Sequence, residues 1–346
     1  MAKRKVNRRQ AWRIEKIQAE RKARAERKDA QIDAQLEGGD LGPEQHGIII
    51  SHYGKLVDVE AVDGSEAGEI IRCHMRTHLG QLVTGDRVIW RQSPDAGVVV
   101  ALEDRSSELK RPNSHGELKP VAANIDAILI VVAVEPRAHA SLIDRYLVAA
   151  ELSDIEPVIV LNKTDLINEE NAEWILPMID TYIQIGYKII YASTSTNHGL
   201  DELNEFLSGR TTVFVGQSGV GKSSLVNALL PGVDMKVGAL SETHKKGKHT
   251  TTTARLFHIP GGGDLIDSPG IREFGLWHID PERLLDGFRE FRPYIGHCKF
   301  RDCAHEEEPG CAFDEALESG AVSEQRFTSY KQILLSMLDS DFSPRN

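Results

Sequence analysis

The chain has 346 residues, 40% hydrophobic and 27% charged, with a formal net charge of −11; that length suits two or three domains. No apolar run approaches the ~20 residues needed to span a bilayer, and the N-terminus carries no apolar core segment of a secretory signal. It also contains acids and no serine before Ser51, unlike a transit peptide, so a cytoplasmic protein without membrane contact is expected.

The charge is unevenly distributed. Residues 1–28 hold 12 Lys/Arg and 3 Glu, whereas the remainder holds 29 Lys/Arg and 49 Asp/Glu. Residues 1–40 offer few apolar side chains, so they build no core. A basic arm on an acidic body predicts a disordered segment that binds RNA; a solvated tail without a target is the alternative.

Residues 41–110 predict a small β-barrel of the OB type. Short strand-like runs ("HGIIISHYGKLVDVEAV", "AGEIIRCHMRTHL", "GDRVIWRQ", "AGVVVALED") are separated by Gly- and Asp-rich turns. Arg72, His74, Arg76, Trp90 and Arg91 are candidates for a nucleic-acid face, against a purely structural barrel.

Residues 111–280 alternate apolar strands ("NIDAILIVVAV", "EPVIVLNK", "YKIIYAS", "TTVFVGQ", "RLFHI", "DLIDSPG") with helical segments. This pattern predicts a parallel sheet with helices on both faces. Gly216, Gln217, Ser218, Gly219, Val220, Gly221, Lys222 and Ser223, followed by Ser224, fit G-x-x-x-x-G-K-[ST] between a strand and a helix. Backbone N–H groups of such a loop converge on phosphate, the Lys reaches the β- and γ-phosphates, and the Ser hydroxyl binds Mg²⁺.

Asn162, Lys163, Thr164 and Asp165 close the strand "EPVIVL". A single carboxylate accepting from N1–H and N2–H₂ selects guanine over adenine, because adenine would leave the acceptor unpaired. That role falls to Asp165, with Lys163 packing on the base and Asn162 tying this loop to the phosphate loop. Ser193, in "YASTST", is expected to close over the base. Asp267, at the start of "DSPG", is placed near the magnesium, and the Gly270 N–H near the γ-phosphate. Between these motifs lies "GALSETHKKGKHTTTTARLF". Thr251 is the chosen magnesium ligand, with Thr250 and Thr252 as rivals. Ile271 stands where many GTPases carry a catalytic Gln, so His249 is the candidate to position the attacking water; contact with phosphate or a partner is its other reading.

The base-recognition motif precedes the phosphate loop, the reverse of the usual order. Both are loops at the C-terminal ends of parallel strands, so a circular permutation keeps their arrangement in space and moves only the chain break.

From residue 281 the chain reads helical, then Cys-rich, then helical. Cys298, Cys303, His305 and Cys311 form C-x4-C-x-H-x5-C, a donor set for a closed tetrahedral structural Zn²⁺; His297 is the rival imidazole. Cys73 stands apart and is expected to be a buried small residue. Such a closed site leaves no open coordination position, which argues against a metal-dependent nuclease.

"AANIDAILIVVAVEP", "LIDRYLVAAE", "VLNKTDL", "GQSGVGKSSLVNAL", "KGKHTTTTARL", "DSPGIREFGL" and "CKFRDCAHEEEPGCA" resemble the ribosome small subunit-dependent GTPase A family, bacterial circularly permuted GTPases, over about residues 45–340. The resemblance implies an OB-fold, a permuted GTPase domain and a helical zinc-binding C-terminal domain. It implies a GTP hydrolase of late small-subunit maturation whose hydrolysis the subunit stimulates; the expected protein is a monomer that binds the subunit and its 16S rRNA in the GTP state and leaves after hydrolysis. It also carries residues 162–165 and 216–224 as the GTP site, the Cys3His set as zinc ligands and His249 as catalytic. A GTP-gated rRNA-binding module with incidental hydrolysis is the alternative.

Overall fold

The computed structural model describes residues 41–76, 79–94, 96–112, 117–232, 254–267, 280–306 and 308–342. The basic arm at 1–40, His249, Thr251 with its rivals Thr250 and Thr252, Gly270 and Ile271 lie outside the described residues. The chain forms two units.

The first unit comprises residues 41–49, Tyr53–Leu82 and Arg87–Glu103. Its strands are β1 (Glu44–Tyr53, of which Ile50–His52 belong to the second unit), β2 (Leu56–Ala61), β3 (Ile70–Met75), β4 (Arg87–Gln92) and β5 (Gly97–Leu102). They run in the order β1-β2-β3-β5-β4, and β4 pairs back onto β1. Closure of this kind removes free edges and is the OB arrangement. Along β2, buried Val57, Val59 and Ala61 alternate with outward residues, as a half-buried strand requires. The interior holds Ile49, Cys73, Leu82, Val88, Trp90 and Val99.

This packing revises the expected nucleic-acid face. Trp90 is fully buried in the barrel core, and Arg91 is bonded to the carbonyls of Leu41 and Gly42. Among these groups the exposed stacking pair is instead Arg72, paired with Asp58 and lying 5.2 Å over the half-exposed Tyr53 ring.

The second unit contains the chain from Asp104 onward. A hairpin of β6 (Glu108–Pro112) and β7 (Leu118–Ala123) leads into β8 (Ala127–Ala133), β9 (Glu156–Asn162), β10 (Lys188–Tyr191), β11 (Thr211–Val215), β12 (Arg255–His258) and β13 (Asp264–Asp267). The order β10-β9-β8-β11-β13-β12 is parallel except at β12, which runs antiparallel to β13. A four-residue β12 joined to β13 by a short Gly-rich turn has no room for the crossover a parallel pair demands.

Every residue of β8 is buried because both faces of the sheet are covered. Ala127, Leu129 and Val131 pack with α3 (Leu200–Leu207) and α4 (Lys222–Leu229). The alternate residues face the side where α1 (Ala140–Glu151) lies on β8 and β9. Helix α2 (Glu169–Ile185) begins with reciprocal Asn168–Asn171 capping bonds and stops at left-handed Gly186.

Beyond Asp280 come two 3-10 segments, Pro281–Gly287 and Arg289–Tyr294, then α5 (Ala312–Glu318) and α6 (Glu324–Phe342). Phe288, Phe291, Phe313, Phe327 and Tyr330 form an aromatic cluster with Val148 of α1. No described helix is long and apolar enough to cross a membrane.

Candidate nucleotide site and metal centre

The phosphate loop runs from the end of β11 to the start of α4. Gly216 has φ 137° and Gly221 φ 96°, regions that L side chains avoid. A Cβ on Gly216 would stand 2.2 Å from the Val131 carbonyl oxygen, and one on Gly221 2.3 Å from Asn162 Nδ2. Gly221 is also the N-cap of α4 and supplies no side-chain cap, so the open N–H groups of the first turn are available to an anion. Lys222 is buried and arches back over the loop, its Nζ 2.7 Å from the carbonyl oxygens of both Gly216 and Gln217. Ser223, also buried, and Ser224 follow in the first turn.

The 162–165 loop is fastened to this phosphate loop. Asn162, 1% exposed at the end of β9, donates from Nδ2 to the Val220 carbonyl at 2.8 Å. Lys163, at φ 58°, donates from Nζ to the carbonyls of Gly219 (2.8 Å) and Glu135 (2.7 Å). Thr164 bonds the Ala192 carbonyl through both its N–H and its hydroxyl. Asp165 is exposed, and its Oδ1 accepts from the hydroxyl of fully buried Ser193 at 2.5 Å. The Ser193 oxygen in turn accepts the N–H groups of Ser195 and Thr196.

Asp267 ends β13, the parallel neighbour of β11, so its carboxylate belongs to the same strand edge. The fold therefore brings residues 162–165, Ser193, 216–224 and Asp267 to one edge. Sequence reading missed Glu135 and Pro136. Pro136 packs on Gly219, 3.5 Å from where its Cβ would be. The signal was available: β8 is another strand of the parallel set, so the "EP" after it opens at that edge too.

Cys298, Cys303, His305 and Cys311 offer ligand atoms all within 4.8 Å of one another. His305 Nδ1 lies 3.6, 3.5 and 3.5 Å from the sulfurs of Cys298, Cys303 and Cys311. Tetrahedral zinc, with Zn–S about 2.3 Å and Zn–N about 2.0 Å, places N and S roughly 3.5 Å apart, so the donor set fits Zn²⁺. The geometry selects His305 rather than His297. Glu308 folds the intervening loop by accepting the N–H groups of Ala304 (2.9 Å) and Glu306 (2.7 Å), which hold its carboxyl below the usual range. The His305 ring sits edge-on against Phe313 at 4.7 Å. Cys73 is separate and fully buried, its thiol pushed up to about 12 by desolvation.

Residues 102–277 match a family model described as RsgA GTPase. The chain is 57% identical to the small ribosomal subunit biogenesis GTPase RsgA of Hahella chejuensis over the full length of both. It is likewise 57% identical to that of Azotobacter vinelandii, over 99% of this chain and all of the relative. Among solved structures it resembles YjeQ from Thermotoga maritima, with TM-score 0.70 and 34% identity over 86% of this chain and 99% of that one. It also resembles YloQ, a circularly permuted GTPase, with TM-score 0.68 and 29% identity over 88% and 98%.

Proposed function

The chain belongs to the RsgA GTPase family and is a GTPase, and from that membership we propose that it acts in biogenesis of the small ribosomal subunit. It binds the subunit and its 16S rRNA in the GTP state, as a monomer in the cytoplasm, and departs after subunit-stimulated hydrolysis. Its full-length relatives carry the small-subunit biogenesis name. The working parts are the arm at 1–40 and the barrel at 41–110 for RNA, the GTPase segment at 111–280 and the zinc-bearing segment at 281–346.

The observation that carries the site assignment is the clamp between the two loops: Lys163 Nζ on Gly219 and Asn162 Nδ2 on Val220. One ligand bound by both loops needs that fixed spacing. Asp165 accepts from the guanine N–H groups. The N–H groups of 216–224 and Lys222 hold the β- and γ-phosphates. Ser223 with Thr251, and Asp267 through water, are oxygen donors suited to Mg²⁺, which when bound neutralises charge on the phosphates. Gly270 donates to the γ-phosphate and His249 orients the attacking water. Water adds to the γ-phosphorus, the bond to the β,γ-bridging oxygen breaks, and GDP and phosphate leave. Cys298, Cys303, His305 and Cys311 are the donors that would hold a structural zinc.

Pelleting with purified small subunits, with phosphate release recorded in parallel, tests the reading. Tighter association with a non-hydrolysable GTP analogue than with GDP is expected, with salt-sensitive binding and faster turnover when subunits are present. Equal association in both states together with unstimulated turnover would reject it.

A further inference from the structure

Helix α1 and the turn before it touch two distant parts of the second unit. On one side Ala138, Leu142, Ile143 and Tyr146 face Gly216, Gln217 and Val220 of the phosphate loop across a mostly apolar cavity of about 10 Å³. The turn before α1 is fastened to that loop through Lys163, which bridges the Glu135 and Gly219 carbonyls. On the other side Asp144, Val148 and Glu151, spaced i, i+4, i+7, meet the C-terminal segment. The Arg326 guanidinium donates to Asp144 Oδ1 at 2.5 Å and to both Glu290 oxygens at 2.6 and 3.2 Å, with Asp144 and Arg326 fully buried. Tyr182 of α2 donates to the same Asp144 oxygen at 2.7 Å. Arg289 and Arg292 both donate to Glu151, and Arg145 to Ser336 of α6. The backbone at Gly287 lies so near Val148 that a Cβ there would come within 2.5 Å.

These two contacts differ in kind. Buried charges with fixed bidentate geometry do not slide, so α1 and the C-terminal segment move together. The seam against the phosphate loop is mostly apolar, leaves room for no more than about one water molecule and is pinned beside Lys163, so a shift of the loop is carried into α1 by direct contact. We propose that α1 reads the phosphate loop across this seam and passes nucleotide state to the zinc-bearing C-terminal segment as a rigid body. This rests on the reading of 162–165 and 216–224 as the nucleotide site. Coupling is reciprocal, so a change at the C-terminal end alters nucleotide affinity by the same factor.

The test compares the zinc-loaded full chain with Leu142→Ala, which takes contact out of the seam, and with the combined Asp144→Asn, Glu290→Gln and Arg326→Met set, which removes the buried charges together. Backbone hydrogen exchange in residues 324–337 is followed without nucleotide, with GDP and with a non-hydrolysable GTP analogue, and calorimetry gives the affinities. In the native chain, exchange there should change at least about fivefold between the two nucleotides. In Leu142→Ala, a half-buried position with the milder effect on folding, the response should fall below about twofold; the neutral set should shift the ratio of GDP to analogue affinity by about fivefold or more. Nucleotide binding with unchanged exchange in the native chain overturns the proposal alone, as does an undiminished response in Leu142→Ala. Absence of heat on titrating GDP removes the nucleotide-site reading, and the proposal with it.

Discussion

The Ser193 hydroxyl donates to Asp165 Oδ1 at 2.5 Å across 28 residues of chain, so the strand end after β10 aims the carboxylate delivered by the strand end after β9. Replacing Asp165 with Asn puts a donor where guanine also presents donors. The expected loss is roughly 1.5–3 kcal/mol, a tenfold to hundredfold weaker GDP complex. Xanthosine diphosphate, with a carbonyl in place of the 2-amino group, should bind the variant better than GDP. Ser193→Ala should cost about 1 kcal/mol, because Asp165 keeps its charge and loses only its positioning bond. Calorimetry with the two nucleotides decides; an Asp165→Asn variant that still prefers GDP would refute the assignment.

Gly221→Ala tests the junction of the two loops. Its Cβ would collide with Asn162 Nδ2, at a backbone angle that costs about 1–3 kcal/mol for a residue with a side chain. Asn162 should lose its bond to Val220 and GDP affinity should drop by at least about tenfold, with the zinc content unaltered. Retained affinity would mean that the clamp is not needed for binding.

Thiol labelling separates the cysteines by environment. Burial raises the Cys73 thiol to about 12, so at pH 8 it carries almost no thiolate and should react only on unfolding. Cys298, Cys303 and Cys311 should be protected while zinc is bound and should label as a group of three once a strong chelator is added. Glu308→Ala frees the N–H groups of Ala304 and Glu306, and zinc should then be lost to a competing chelator about 10–100-fold more readily. Stepwise labelling of single cysteines with zinc present would contradict a shared ion.

Arg326 is fully buried between Asp144 and Glu290. Arg326→Ala leaves two carboxylates without their cation in an apolar surround and should destabilise the second unit by about 3–5 kcal/mol. Urea unfolding followed by the tyrosine signal would report it, and a loss below about 1 kcal/mol would show that the two acids find other partners.

The amino-acid sequence by itself determined the features that local spacing encodes. The glycines at 216 and 221 mark backbone angles closed to other residues, the alternation along β2 marks a strand with one wet face, and C-x4-C-x-H-x5-C sets four donors within reach of one ion. The tertiary structure decided what depends on chain path. It put Trp90 inside the barrel rather than on its face, turned β12 antiparallel and set Lys163 on the carbonyls of Glu135 and Gly219. It also joined Arg326 to Asp144 across 182 residues. A side chain's period and a glycine's φ are properties of a few neighbouring residues, whereas the partner of a buried charge is chosen only when distant segments have packed and excluded water from it.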